Sequence, residues 1–143
     1  MLFRSVLAIR PGGRGDISDD AIVWETPTGA PYVASPTVVD GILYVVKDGG
    51  IFTSIDAATG SVLKRARLRG RGNYYSSPVA VGPFLYVASQ KGVLSVIRRQ
   101  ADWATETTHD FDEGIYATPV FDRDRLYIRT ENQLICFRAN SAG

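Results

Sequence analysis

A single cysteine, Cys136, and a single histidine, His109, remove three chemistries at once. No disulfide framework, no Cys/His zinc site and no CxxC redox pair can be built within the chain. An excess of charge of one sign is missing too. Lys and Arg number 16 against 15 Asp and Glu, a formal net charge of +1, so no global field steers the molecule to nucleic acid or to an anionic membrane. No stretch approaches the roughly 20 apolar residues of a membrane helix, and the apolar run from Val6 to Ile9 is too short for a signal-peptide core. What is present, 143 residues with 45% hydrophobic and 22% charged, is the make-up of one ordinary globular domain. Its 14 Gly, 7 Pro and 7 Tyr point to turns and strands.

Laid against itself, the chain repeats. Ser35-Pro36-Thr37-Val38-Val39, Ser77-Pro78-Val79-Ala80-Val81 and Thr118-Pro119-Val120-Phe121 share one pattern, and eight residues after each proline comes a tyrosine, at 44, 86 and 127. A third apolar segment follows each time, at Ile51–Ile55, Val93–Ile97 and Leu134–Phe137. Fourth strands are expected at Val62–Leu68 and near Trp103–His109. A period of about 42 residues with four short strands per unit is the signature of a β-propeller blade. The fold class is therefore all-β, a propeller segment of about three four-stranded antiparallel blades. Residues 1–25 are expected to end a preceding blade, 33–68 and 75–109 to form two blades, and 116–138 an incomplete last one. Blades of such short strands must stack on one another to cover their apolar faces, with Tyr44, Tyr86 and Tyr127 as core rings between them. The Ser-Pro and Thr-Pro pairs start the innermost strands, where proline removes no ladder bond that the sheet needs. The Gly-rich segment Pro11–Asp20 reads as a loop.

Ser-Pro-Val, then Leu-Tyr-Val, then Gly-x-Leu-x-x-Ile, and above all Asp56-Ala57-Ala58-Thr59-Gly60, resemble the pyrroloquinoline-quinone-like (PQQ-like) β-propeller repeat. That repeat occurs in quinoprotein dehydrogenases and in the outer-membrane assembly lipoprotein of Gram-negative bacteria. Val6–Ile9 then matches the third strand of a preceding blade and Ile22–Glu25 its fourth, tryptophan-bearing strand. The resemblance implies the C-terminal part of a longer propeller whose last blade borrows a strand, so self-association through exposed blade edges is one expectation. It also implies an exported, periplasmic parent. Quinoproteins of this fold hold their cofactor with a stacked tryptophan, a vicinal cysteine pair, calcium and an aspartate base. Here the cysteine pair is impossible, and Trp24 and Trp103 fall on outer strands that pack between blades. No cofactor is expected in this chain; PQQ with calcium belongs only to a complete parent.

The expected function is thus a non-catalytic scaffold that binds a protein, a peptide or a small ligand. The alternative is a fragment of a quinone-dependent dehydrogenase with its catalytic residues elsewhere. Residues just before each innermost strand surround the channel mouth in a propeller, so Tyr32, Asn73, Tyr74, Tyr75 and Tyr116 are candidates for an aromatic binding rim, against packing at the blade entrance. Arg65, Arg67, Arg69 and Arg71, extended by Lys64, alternate with Ala66, Leu68 and Gly70 and form either an anion-attracting stripe or a charge-protected edge strand. Nucleic acid is not the expected partner. Asp110, Asp112 and Glu113 bunch carboxylates that suit calcium or acid/base work, but they lack calcium-loop spacing and read as a solvated interblade turn. Gly12-Gly13-Arg14-Gly15-Asp16 lacks the strand-to-helix context of a phosphate cradle, and Ser76, Ser77, Ser89 and Ser95 lack a paired histidine.

Overall fold

The computed structural model describes residues 5–27 and 29–139. Among these residues thirteen strands lie in four antiparallel sheets, each built in chain order. The first sheet pairs β1 (Val6–Ile9) with β2 (Ile22–Thr26), and a four-residue helix, α1 (Ser18–Ala21), interrupts what the glycines suggested was all loop. The second holds β3 (Thr37–Val39), β4 (Ile42–Lys47), β5 (Ile51–Asp56) and β6 (Val62–Arg67). The third holds β7 (Val79–Val81), β8 (Phe84–Ala88), β9 (Val93–Arg98) and β10 (Ala104–Asp110). The fourth holds β11 (Val120–Asp122), β12 (Arg125–Arg129) and β13 (Leu134–Arg138). This is the blade pattern that the repeat predicts.

The prolines explain where the first strands begin. Pro36, Pro78 and Pro119 each stand immediately before β3, β7 and β11, at the sheet edge where a missing N–H costs no ladder bond. The residue before each proline does more than the repeat suggested. Ser35 N–H donates to Ser77 Oγ at 2.9 Å, Ser77 N–H donates to Thr118 Oγ1 at 3.1 Å, and Thr37 Oγ1 donates to the Pro78 carbonyl at 2.6 Å. These bonds hold the first strands of successive sheets side by side and place them on the inner side of the arc.

Side-chain alternation sorts the apolar residues onto the two faces of each sheet. Tyr44, Val46 and Phe52 of the second sheet pack against Leu85, Val87, Ile97 and Trp103 of the third. Ala88 and Leu94, with Tyr86, meet Ile115, Ile128 and Leu126 of the fourth. Leu43, Val45 and Ile55 meet Val6 and Trp24 of the first. Tyr44, Tyr86 and Tyr127 occupy one register position, opposite Thr37, Val79 and Val120. Tyr44 is fully buried, whereas Tyr127 is only half-buried, because its face has no further sheet against it among the described residues.

Trp24 shows why the Asp-Ala-Ala-Thr-Gly turn has its sequence. Asp56 Oδ1 accepts the N–H groups of Ala58 and Thr59, both at 2.9 Å, and closes the turn. Trp24 Nε1 donates to the Ala57 carbonyl at 2.9 Å and its ring lies over Gly60. Gly60 has φ +76°, and a Cβ there would sit 2.6 Å from Trp24 Cδ2, so both backbone and neighbour demand glycine. The same job is done one sheet on by a different residue. Register shifts recur at Ala8/Ile9, Ser54/Ile55 and Thr105/Thr107, which makes Trp24, Lys64 and Thr107 equivalent. Lys64 Nζ donates to the carbonyls of Trp103, at 2.6 Å, and Asp102, at 3.3 Å, and lies 4.8 Å from the centre of the Trp103 ring.

Candidate functional site

The connecting loops 27–36, 68–78 and 111–119 share one end of the arc with the turns between second and third strands. Backbone bonds from Gln90 N to Asn73 O and Gly49 N to Gly72 O tie the loop 68–78 to the turns of the sheets on either side of it, and one from Glu131 N to Gly114 O ties the loop 111–119 to a turn of the fourth sheet. All five proposed rim residues sit on these loops; four reach the surface with unequal exposure, and the fifth is buried. Tyr74 is 1% exposed, with its hydroxyl donating to Gly70 O at 2.8 Å and its N–H to Asp48 Oδ1 at 3.0 Å. It is a core residue, and burial pushes its phenol pKa up to about 12. This corrects its assignment to the rim.

Counting back from the proline explains the division. Tyr74 and Ile115 stand four residues before Pro78 and Pro119, and both are buried against the preceding sheet. Tyr32 holds the same place before Pro36 yet is 62% exposed, because the first sheet has only two described strands to receive it. Its exposure reflects a short neighbour and carries no binding argument. One residue closer to the proline, Tyr75 and Tyr116 stack with ring centroids 5.6 Å apart across the third and fourth sheets. Asn73 Nδ2 donates to Tyr75 Oη at 3.4 Å, Gln90 Nε2 to Tyr116 Oη at 3.3 Å, and Tyr116 Oη to Glu131 Oε1 at 3.5 Å. Tyr116 remains 47% exposed. The structure therefore brings together Asn73, Tyr75 and Tyr116 as one ordered aromatic and amide surface.

The basic stripe does not survive as a single face. β6 ends at Arg67, so only Arg65 and Arg67 share a strand face, opposite Thr53 and Ile51. Lys64 points the other way and is spent on the Trp103 and Asp102 carbonyls. Arg67 donates to the Gly49 carbonyl. Arg69 lines a cleft of about 140 Å³ with Thr105, Glu106, Thr107 and Thr108, and Arg71 is exposed in the following loop. β6 is the outer edge of its sheet, which fits charge protection of an edge.

The acidic group is likewise divided. Glu113 accepts from Thr130 Oγ1 at 2.6 Å and from Gln133 Nε2 at 3.1 Å, and these bonds hold its carboxyl below the usual range. Asp110 accepts from the Asp112 N–H at 3.0 Å in a local turn. Among the described residues no group of three His, Cys, Asp or Glu side chains is arranged to hold a metal. Ser77 Oγ is used by Ser35, Ser76, Ser89 and Ser95 are buried, and His109 packs edge-on to Phe111 at 4.5 Å. The loop around Gly12 and Gly13 lines a crevice of about 260 Å³ with Arg10, Ile17 and Asp20. Trp24 and Trp103 are both committed between sheets; Trp103 meets Phe52 edge-on at 4.9 Å.

One residue at the loop end was not singled out from the sequence. Arg129 lines a crevice of about 260 Å³ with Tyr116, Ala117, Thr130 and Glu131. The available signal was a comparison of β12 with β4 and β8, where the same strand position is Val46 and Ala88.

The model of the PQQ_2 family, described as outer membrane protein assembly factor BamB, matches residues 14–143. BamB from Moraxella catarrhalis is similar in structure, with a TM-score of 0.70 and 18% identity over 82% of this chain and 37% of that one. Quinohemoprotein alcohol dehydrogenase from Comamonas testosteroni gives a TM-score of 0.53 and 20% identity over 67% of this chain and 16% of that one. The computationally designed Ika4 protein gives 0.66 and 12% over 83% and 73%. At these identities the likeness is one of fold, and the chain spans little more than a third of the BamB structure it matches. No curated protein matches by sequence.

Proposed function

For a chain that belongs to the PQQ-like propeller family of the outer membrane protein assembly factor BamB, we propose a non-catalytic role as a scaffold that binds a protein partner in outer-membrane protein assembly, in the periplasm. The observation that carries this reading is the Tyr75–Tyr116 stack, fastened from Asn73, Gln90 and Glu131 on two sheets and left open to solvent at the loop end. Rigid aromatic rings ringed by amide donors lose little entropy on binding and suit a polypeptide surface. The quinone-dehydrogenase alternative finds no support in the residues present. A stacking tryptophan is needed for the cofactor, and both tryptophans of this chain are held between sheets; the lone Cys136 can make no vicinal pair within the chain. We therefore propose no cofactor for it.

The test is in-cell photo-crosslinking from a benzoylphenylalanine at position 75 or 116, with position 65 on the outer edge as control. A discrete adduct with one outer-membrane protein or assembly component, formed from 75 and 116 and absent from 65, is the expected result. Identical adducts from all three positions, or none, overturn the reading. Titration of pyrroloquinoline quinone with calcium checks the cofactor separately, since a saturable absorbance change at one equivalent refutes its absence.

A further inference from the structure

The repeat supplies its own controls for the corner beside Tyr116. In the second sheet this corner is a socket. Val46 and Phe52 belong to the buried cluster that holds Tyr74 from the next loop, and Asp48 Oδ1 accepts the Tyr74 N–H at 3.0 Å. In the third sheet Ala88 and Leu94 receive Ile115 in the same way. In these two sheets the residue four places before the next inner-strand proline thus plugs the sheet before it.

The fourth sheet has the same corner with one change of chemistry. Leu134 stands where Phe52 and Leu94 stand, and Glu131 where Asp48 stands. Arg129 stands where the other two sheets have Val46 and Ala88. The crevice it lines, about 260 Å³, is walled by Tyr116. Among the described residues Arg129 has no ion-pair partner within 4.0 Å, and it is exposed. A purely apolar plug of the Ile115 kind would bury this guanidinium unpaired, which is strongly unfavourable. An occupant that carries a carboxylate turns the same burial into a charge-assisted, two-pronged hydrogen bond.

Building on the proposed binding role of the loop end, we infer that this corner is a socket for an extended acidic segment of the partner protein. In it an aromatic side chain takes the place of Tyr74 and lies against the Arg129 guanidinium. Its backbone N–H meets Glu131, and a neighbouring carboxylate pairs with Arg129. Charge complementarity selects this occupant over the neutral plug of a further repeat.

The probes are two fluorescein-labelled hexapeptides, otherwise capped, one with a central tyrosine–glutamate pair and one with tyrosine–glutamine, titrated into the whole 143-residue chain and read by anisotropy at low and physiological salt. The glutamate peptide should bind saturably and at least about tenfold more tightly than the glutamine peptide, with the margin shrinking as salt rises. Arg129→Val installs the residue that the second sheet itself uses, so the fold is retained; cooperative denaturation verifies it. This variant should lose the tenfold preference, Arg129→Lys should keep part of it, and Arg14→Ala on the distant loop should keep all of it. Equal binding of both peptides, no binding of either, or a preference that survives Arg129→Val, overturns the inference. The crosslinking result separates the two readings. Partner adducts at 75 and 116 without peptide discrimination leave the scaffold role standing and remove the acidic socket, whereas loss of both removes the site.

Discussion

Gly60→Ala is the sharpest perturbation of the fold that carries the site. The new methyl group would lie 2.6 Å from Trp24 Cδ2, 2.7 Å from Cε3 and 2.9 Å from Cγ, where ordinary contact begins near 3.4 Å. The indole must therefore retreat by about an ångström, since its opponent is backbone. Three costs follow. An alanine at φ +76° costs about 1 kcal/mol relative to glycine. Displacing a packed ring costs about 1 kcal/mol at the low end of overpacking. Losing the 2.9 Å bond from Trp24 Nε1 to Ala57 O costs about 1 kcal/mol more. The total is roughly 3 kcal/mol, a large share of the 5 to 15 kcal/mol that holds a typical domain together. Gly41→Ala isolates the backbone component, because Gly41 has φ +75° with nothing within 4 Å of its Cβ. Urea unfolding followed by tryptophan fluorescence should place Gly60→Ala about 2 kcal/mol below Gly41→Ala. In a Trp24→Ala background the Gly60→Ala cost should fall to about 1 kcal/mol, the value for backbone alone. Equal costs at the two glycines, or an unchanged cost without Trp24, refute the reasoning.

Four further outcomes are expected. Lys64→Met removes two hydrogen bonds to the Trp103 and Asp102 carbonyls and the contact with the Trp103 ring; chemical denaturation should show a loss of about 2 kcal/mol. Arg65→Ala and Arg71→Ala, by contrast, should each fall within about 0.5 kcal/mol of the parent. Asp56 is held below the usual carboxylate range by the Thr59 and Ala58 N–H groups, so its bonds add stability above that range that is lost as pH falls through the depressed folded value. Asp56→Asn should flatten the acid limb of a stability–pH curve while leaving the turn closed. Tyr74, raised by burial to about 12, runs the opposite way. It favours the folded state below its ordinary value of 10.0, and that stability is lost as pH climbs towards 12, so absorbance at 295 nm should show one phenol that ionises only with unfolding.

The blade architecture was legible because short strands bounded by turns repeat at a fixed spacing, and burial on both faces forces that spacing to be kept. Pro36, Pro78 and Pro119 mark the strand starts for a reason of elementary valence, since proline brings no N–H to the ladder. The loop end was less legible. Tyr74 and Tyr75 are adjacent in a segment without periodicity, and only the sheet beside them decides which ring is buried. The four arginines do not share the one face that their spacing suggests, because alternation carries a side-chain direction only as far as the strand runs, and β6 stops at Arg67; the edge-strand reading of the same residues fits its place in the sheet. The fate of Lys64 depended on two carbonyls 38 and 39 residues away in sequence. α1 hid in a glycine-rich stretch because one helical turn leaves no hydrophobic period to detect.

A repeat protein states its ordinary solution several times, so its departures can be weighed against copies of itself. Lys64 departs from Trp24 and still closes the same gap between sheets, since a long aliphatic stem and an ammonium reach carbonyls that an indole would otherwise cover. That change preserves structure and implies nothing about ligands. Arg129 departs from Val46 and Ala88 with no ion-pair partner among the described residues, at a corner where both other copies receive a side chain from elsewhere. A charge placed where the copies bury methyl groups becomes costly once that corner is covered, unless the covering group neutralises it. The two departures look alike in sequence and differ only in whether the structure already contains the answering group, and that difference is what singles out Arg129, rather than the longer basic run from Lys64 to Arg71, as the residue to test for a partner.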